Sequence, residues 1–373
     1  VFAVSLAAAL IGGAGSALMG TCGPFTDTAA DAFCPFVLEI FTLGITTGTT
    51  ATTYDPTGNV TRLQMAAFLS RSVDGVLNRG SRRAALKQFW NWDFQYATLI
   101  PSGGSPFLIE STGPDVWVAS YDGTVKRFRG SDAVALGTWT GATNAVGILV
   151  AGDTTWITGE TSPGSLYYIP LGSSSGAVFA ATTTLGNQPL QIATDGRNIW
   201  TANAGPPGSV SIYDGFSTVS TVTAGFSGLN GVLFDGAHIW VTDTGAGTLL
   251  KLDSGGAILQ TVTIGSVPMY PVFDGANIWV PNFASNSVSV VRASTGAVLA
   301  TLTGNGLAGP KDAAFDGQRI LVTDGLTNRV SLWKAADLAA IGSPSIYFTP
   351  YGACSDGINF WITGSNAGSI MRF

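Results

Sequence analysis

The chain has 373 residues, with 17 Lys and Arg against 23 Asp and Glu for a net charge of −6, and only 11% of its residues are charged, under half the roughly 25% of an average soluble domain. An acidic, charge-poor chain repels phosphates and counts against a nucleic-acid partner; its 10 Trp and 20 Phe count against disorder, which goes with charge-rich, aromatic-poor sequence. One histidine and three glutamates (Glu39, Glu110 and Glu160) leave little for acid–base or metal chemistry, and neither a metal nor a cofactor is implied.

The chain opens on VFAVSLAAALIGGAGSALMG, residues 1–20, without a single charge. Three readings stay open. An apolar run followed by small residues is how a secretory signal ends; Thr21 before Cys22 does not suit a lipobox. A membrane span needs roughly 20 apolar residues, although Gly12, Gly13 and Gly15 weaken a helix here and no basic flank fixes an orientation. If retained, an apolar tail must be buried, and a neighbouring copy of the chain is a natural cover.

Residues 21–93 read as a small helical module. Cys22 and Cys34 bracket PFTDTAADAF; in an exported chain they read as a disulfide closing a short loop, against the alternative of two free thiols. Phe36, Val37, Ile40, Phe41 and Leu43 fall at helical spacing and stop at Gly44. The Thr-rich run ITTGTTATT reads as loop, and TYDPTGNV turns on Pro56 and Gly58. Thr61 with Gln64 three residues on predicts a capping box opening a second helix, and RGSRRAALKQFW predicts a third. Arg79, Arg82, Arg83 and Lys87 lie at helical spacing there, either as a contact for an acidic polymer or a neighbouring subunit or as a solvated face.

In order and spacing, FTDTAADAF, VLEIFTLGITTG and YDPTGNVTRLQMAAFLSR resemble the S-layer homology (SLH) family, over Phe25 to Arg71. The resemblance implies a wall-attachment module that binds secondary wall polysaccharide or peptidoglycan. It puts Thr61 and Arg62, with Gln64 where the family has Glu, at its polysaccharide-contacting motif. One copy stands where wall-binding proteins generally use three, so an assembly role is open beside wall binding.

From residue 94 onward the chain repeats. FDGAHIWVTD, FDGANIWVPN, FDGQRILVTD and TDGRNIWTAN share one phrase, anchored at Trp117, Trp156, Trp200, Trp240, Trp279, Leu321 and Trp361, 39 to 44 residues apart. Four residues before each anchor stands a glycine, and in five repeats a proline stands eleven before it. Asp-Gly between apolar runs is a strong hairpin signal, and four short strands in about 40 residues make one propeller blade. The expected fold is mainly β: a seven-bladed β-propeller over 94–373 behind an α-helical module at 21–93 and the apolar segment 1–20. Tyr96 to Ile100 is expected to pair with Ile370 to Phe373 as the outer strand of the last blade, closing the ring. The repeats resemble YVTN/NHL propellers, and their "IW-V" phrasing also resembles streptogramin (virginiamycin B) lyases.

The lyase resemblance implies catalytic histidine chemistry. His238, the only histidine, fills a turn slot taken by Asn198, Asn277 and Asn359 in sister repeats, which reads as a turn residue and removes the base that a Ser-His-Asp triad also needs. The recurrent aspartates Asp195, Asp235, Asp274, Asp316 and Asp356 read as turn formers rather than a calcium ring. Glu110 and Asp312 are the acids of the innermost strands, a weak basis for a glycosidase pair. Cys354 reads as a buried thiol. Residues just after the recurrent proline, Phe107, Leu190, Gln191, Asn230, Tyr270, Lys311, Asp312 and Tyr351, are expected to rim one channel opening and are the candidate ligand surface, against the alternative of an unused opening. The sequence thus predicts a non-enzymatic extracellular or cell-surface protein that self-associates into a filament or layer. The alternatives are a wall-anchored propeller holding a glycan or peptide, and a lyase-like enzyme.

Overall fold

The computed structural model describes residues 24–28, 34, 37, 40, 41, 45–62, 64–69, 98–170 and 172–373. The apolar segment 1–20, Cys22 and the basic cluster Arg79, Arg82, Arg83 and Lys87 lie outside these residues, and so does the third helix. The chain divides into two compact units, residues 1–90 and 91–373. Among the described residues no helix is long and apolar enough to cross a membrane.

In the first unit, Cys34, Val37, Ile40 and Phe41 are helical, as are residues 62 and 64–69. A small core forms around buried Phe25 and Val37, with Cys34, Phe41 and Tyr54 packed against them. The Phe25 ring meets Phe41 edge-on at 5.1 Å and Tyr54 at 5.7 Å. Asp27 ties the opening turn to the later loop, its carboxylate accepting the N–H groups of Tyr54 at 3.0 Å and Asp55 at 2.7 Å. The FTD and YDP pieces of the sequence are therefore bonded to each other.

The second unit is a seven-bladed propeller: six four-stranded antiparallel sheets and one carrying a short fifth strand. The fourth blade shows the plan, running outward through Leu229–Phe234, Ile239–Asp243, Thr248–Leu252 and Ile258–Thr263. The second strand is buried along its whole length, which is why it carries unbroken apolar residues around the anchor, while the outermost strand is half solvated and threonine-rich. Trp117, Trp200, Trp240, Trp279 and Trp361 are fully buried, each filling the space between blades. In the first blade a short parallel strand, Gly176–Ala177, covers the outer edge at Trp139 and Thr140. The ring closes as expected: Thr98, Leu99, Ile100 and Pro101 pair with Arg372, Met371, Ile370 and Ser369.

The hairpin between first and second strands is built the same way throughout. The recurrent glycine has positive φ in all seven repeats, from 58° at Gly152 to 97° at Gly275 and Gly317, a region side-chain-bearing residues avoid. Near the opposite end the inner strand shifts register against its neighbour, between Pro106 and Ile109, Ala145 and Ile148, Pro189 and Ile192, Leu229 and Val232, and Pro310 and Ala313. Such bulges re-aim side chains, and here they fall on the residues expected at the channel rim.

Candidate functional site

The residues after the recurrent proline do gather at one end of the channel, but they divide into two groups. One group clusters ring against ring. The Phe107 ring lies 4.5 Å from that of Tyr351 and is stacked on Tyr121 at 5.3 Å. Tyr351 and Tyr270 lie 6.2 Å apart, with their hydroxyls 3.4 Å from each other. Lys311 sets its ammonium 4.3 Å from the Tyr351 ring centroid and 5.8 Å from that of Phe283, a cation–π arrangement. Asn230 donates its amide N–H to the Met269 sulfur at 3.0 Å. Leu190 packs with Phe107, Phe283 and Tyr351 against the same core.

The other group is consumed by the frame. Gln191 Oε1 accepts the Val232 N–H at 2.9 Å, joining blades three and four. Asp312 accepts the N–H of Ala313 at 2.8 Å and, across to blade seven, that of Ala353 at 2.9 Å. Both were expected at the rim as ligand contacts; the bulge turns them into the space between blades instead, where a backbone donor needs an acceptor.

Three mouth residues escaped the sequence reading: Tyr121, Glu160 and Phe283. They come from turns after the second strand, where the repeats differ, so no recurrent position pointed to them. Glu160 is hydrogen-bonded to the Tyr121 hydroxyl, and its carboxyl is raised because desolvation outweighs that bond. Desolvation, assisted by the neighbouring Tyr351 hydroxyl and the acids Asp312 and Glu160, raises the Tyr270 hydroxyl well above its ordinary range. Desolvation pushes Asp312 up to about 8 against its two backbone donors, with the charge of Glu110 adding to the rise. Glu110, deeper in the inner strand, is pushed up to about 7 by desolvation alone. Burial also raises the free thiol of Cys354 far above its usual value, as suits an inert thiol.

His238 sits in its hairpin turn, its backbone N–H donated to Asp235 Oδ1 at 2.7 Å. The recurrent aspartates are indeed turn formers, and they do a second thing the repeats did not reveal. Each holds the anchoring indole with its other oxygen: Asp195 to Trp200 at 2.9 Å, Asp235 to Trp240 at 2.8 Å, Asp274 to Trp279 at 2.7 Å and Asp356 to Trp361 at 2.8 Å. In blade six Leu321 replaces the tryptophan, and Asp316 takes the Arg319 Nε instead, at 2.7 Å. Among the described residues no group of three or more His, Cys, Asp or Glu could hold a metal ion.

In the first unit Thr61 and Gln64 form the expected capping box. Gln64 Oε1 accepts the Thr61 N–H at 2.8 Å, and Thr61 Oγ1 accepts the Gln64 N–H at 3.2 Å. That leaves Arg62, exposed and in no ion pair among the described residues, as the free side chain of the trio.

Residues 24–66 match the S-layer homology domain. The chain carries that module, and such domains are associated with attachment to the cell surface. No curated protein matches the chain. Among solved structures, a streptogramin B lyase is similar with a TM-score of 0.62 at 13% identity, over 74% of this chain and 96% of that one. A virginiamycin B lyase from Staphylococcus aureus is similar with a TM-score of 0.62 at 15% identity, over 74% and 97%. The WD40 propeller domain of Doa1 is similar with a TM-score of 0.60 at 13% identity, over 74% and 97%. At such identities the likeness is one of fold.

Proposed function

We propose that this is a non-enzymatic, exported surface protein that self-associates into a filament or layer, with its S-layer homology domain as the attachment or assembly module and its propeller as a rigid body. The observation that carries the reading is the domain match at residues 24–66, supported by a built core and capping box. The low charge of the chain and the uncharged run 1–20 favour association over solvation. A Cys22–Cys34 disulfide belongs to the same reading, supported by the spacing of the two cysteines around a short loop in an exported chain. The non-enzymatic part is supported by the sole histidine occupying a hairpin turn, where the acid beside it, Asp235, is already engaged by the turn N–H groups and the Trp240 indole. Contact with wall polysaccharide, if this single module makes it, falls on Arg62, because Thr61 and Gln64 satisfy each other.

Electron microscopy of the native surface fraction, with mass spectrometry of the mature N-terminus, tests the assembly. Ordered polymers of subunits retaining Val1 to Gly20, dispersed on deletion of 1–20, are the expected result. Monodisperse particles beginning near Thr21 would overturn self-association through that segment.

A further inference from the structure

The channel mouth holds a positive charge that forms no ion pair among the described residues. Ion pairs among the described residues join Arg127 to Asp115, Arg129 to Asp132 and Arg319 to Asp316, and Lys311 is in none of them. Its neighbour Asp312 is turned to the Ala313 and Ala353 N–H groups, and Glu160 is engaged by Tyr121. The lysine is held in place rather than waving in solvent. Its stem lies across Gly325, where a Cβ would come 2.3 Å from the lysine Cε and 2.6 Å from Cδ, so a side chain there would push the stem away. Desolvation lowers the Lys311 pKa from its ordinary value, the mark of an ammonium partly stripped of water.

The surroundings are flat and hydroxyl-bearing. Tyr121 is 37% exposed and stacked on Phe107, giving a partly solvent-exposed aromatic pair. Next to it stands the half-buried Tyr351, its hydroxyl shared with that of the buried Tyr270. A lone ammonium beside aromatic faces suits a monoanion with a ring. A phosphate calls for several converging donors, and Lys311 supplies one ammonium. A simple alkyl acid leaves the ring faces and hydroxyls unused.

We propose that the propeller mouth binds an acidic saccharide of the uronic-acid class, its carboxylate on Lys311 and its ring over the Phe107–Tyr121 pair. This does not rest on the assembly reading, since it concerns the second unit alone.

The test is calorimetric titration of the purified full chain with sodium glucuronate, glucose and sodium acetate at pH 7. Saturable glucuronate binding is expected, with glucose and acetate each weaker by about tenfold or more, equivalent to roughly 1.4 kcal/mol. Lys311→Met should erase that preference at an unchanged Tm, and Lys311→Gln serves if the first variant fails to fold. Gly325→Ala, which displaces the stem but keeps the charge, should weaken glucuronate selectively. Binding should fall as pH rises through the lowered lysine pKa, earlier than for an ordinary lysine. Absence of saturable glucuronate binding, equal binding of glucose or of acetate, or a preference that survives loss of Lys311 would each overturn the proposal.

Discussion

Asp235 holds its own hairpin through the Ala237 and His238 N–H groups and the Trp240 indole through its other oxygen, so one carboxylate joins local turn geometry to the packing between blades. Asp235→Ala removes charge-assisted bonds and orphans an indole N–H, which should cost about 2–4 kcal/mol in urea unfolding; a loss under about 0.5 kcal/mol would mean that packing alone holds the tryptophan. The same chemistry sets the acid limb of stability. For Asp195, Asp235 and Asp356, desolvation raises the carboxyl, but the turn and indole hydrogen bonds outweigh it and leave the pKa below the ordinary value of 3.8. Their contribution is present above that unfolded value and is lost as pH falls through the folded ones. Asp312 acts with the opposite sign. Its folded carboxyl is raised to about 8 from 3.8, so its contribution is full below the unfolded value and is lost as pH climbs toward 8. Tm should therefore peak near pH 5 and decline toward pH 8, Glu110 at about 7 sharing in the loss, and Asp312→Asn should make that limb shallower while lowering the acid-side plateau. A decline of unchanged slope in that variant would remove Asp312 as its source.

At the scale of the strand, a threonine two residues beyond the anchor staples neighbouring blades. Thr158, Thr242, Thr323 and Thr363 donate to the carbonyls of Leu190, Met269, Tyr351 and Phe107, the last at 2.5 Å. Each also accepts an inner-strand N–H of its own blade, from Gly147, Gly231, Asp312 and Gly352. Thr363→Val keeps the shape and leaves both partners unpaired, with an expected cost of about 1–3 kcal/mol and faster hydrogen exchange confined to blades seven and one; exchange unchanged at Gly352 would contradict the staple. These features also show where sequence reading succeeds and stops. The Asp-Gly turns, the anchors and the closing strand were legible because each rests on local φ preference or burial that repeats. The staples were not, since a threonine in a buried strand looks like any β-branched residue and Ala119, Ala202 and Pro281 take its place in the other blades. The mouth was legible by position but not by role, because the bulge decides whether a side chain such as Gln191 faces the channel or the next blade.

For the propeller as a whole, one short pairing decides whether seven sheets form a ring. Ile370 sits in a central strand, opposite Ile100 on one side and Thr363 on the other. Ile370→Pro removes a ladder donor and should cost more than about 3 kcal/mol, with limited proteolysis cutting first within Thr98–Pro101. Cleavage distributed evenly over the blades would mean that the ring does not open at this seam. The same seam has a mechanical meaning. Residues before Thr98 are joined covalently to the closing strand, so any pull on them enters the propeller at Thr98, next to Arg372. Drawn along its axis, an antiparallel strand shares tension among all its cross-strand bonds at once; lifted sideways, it gives them up one at a time. The resistance of this protein to force thus depends on the direction in which the leading segment is drawn, and blade seven is where a strained subunit would yield first.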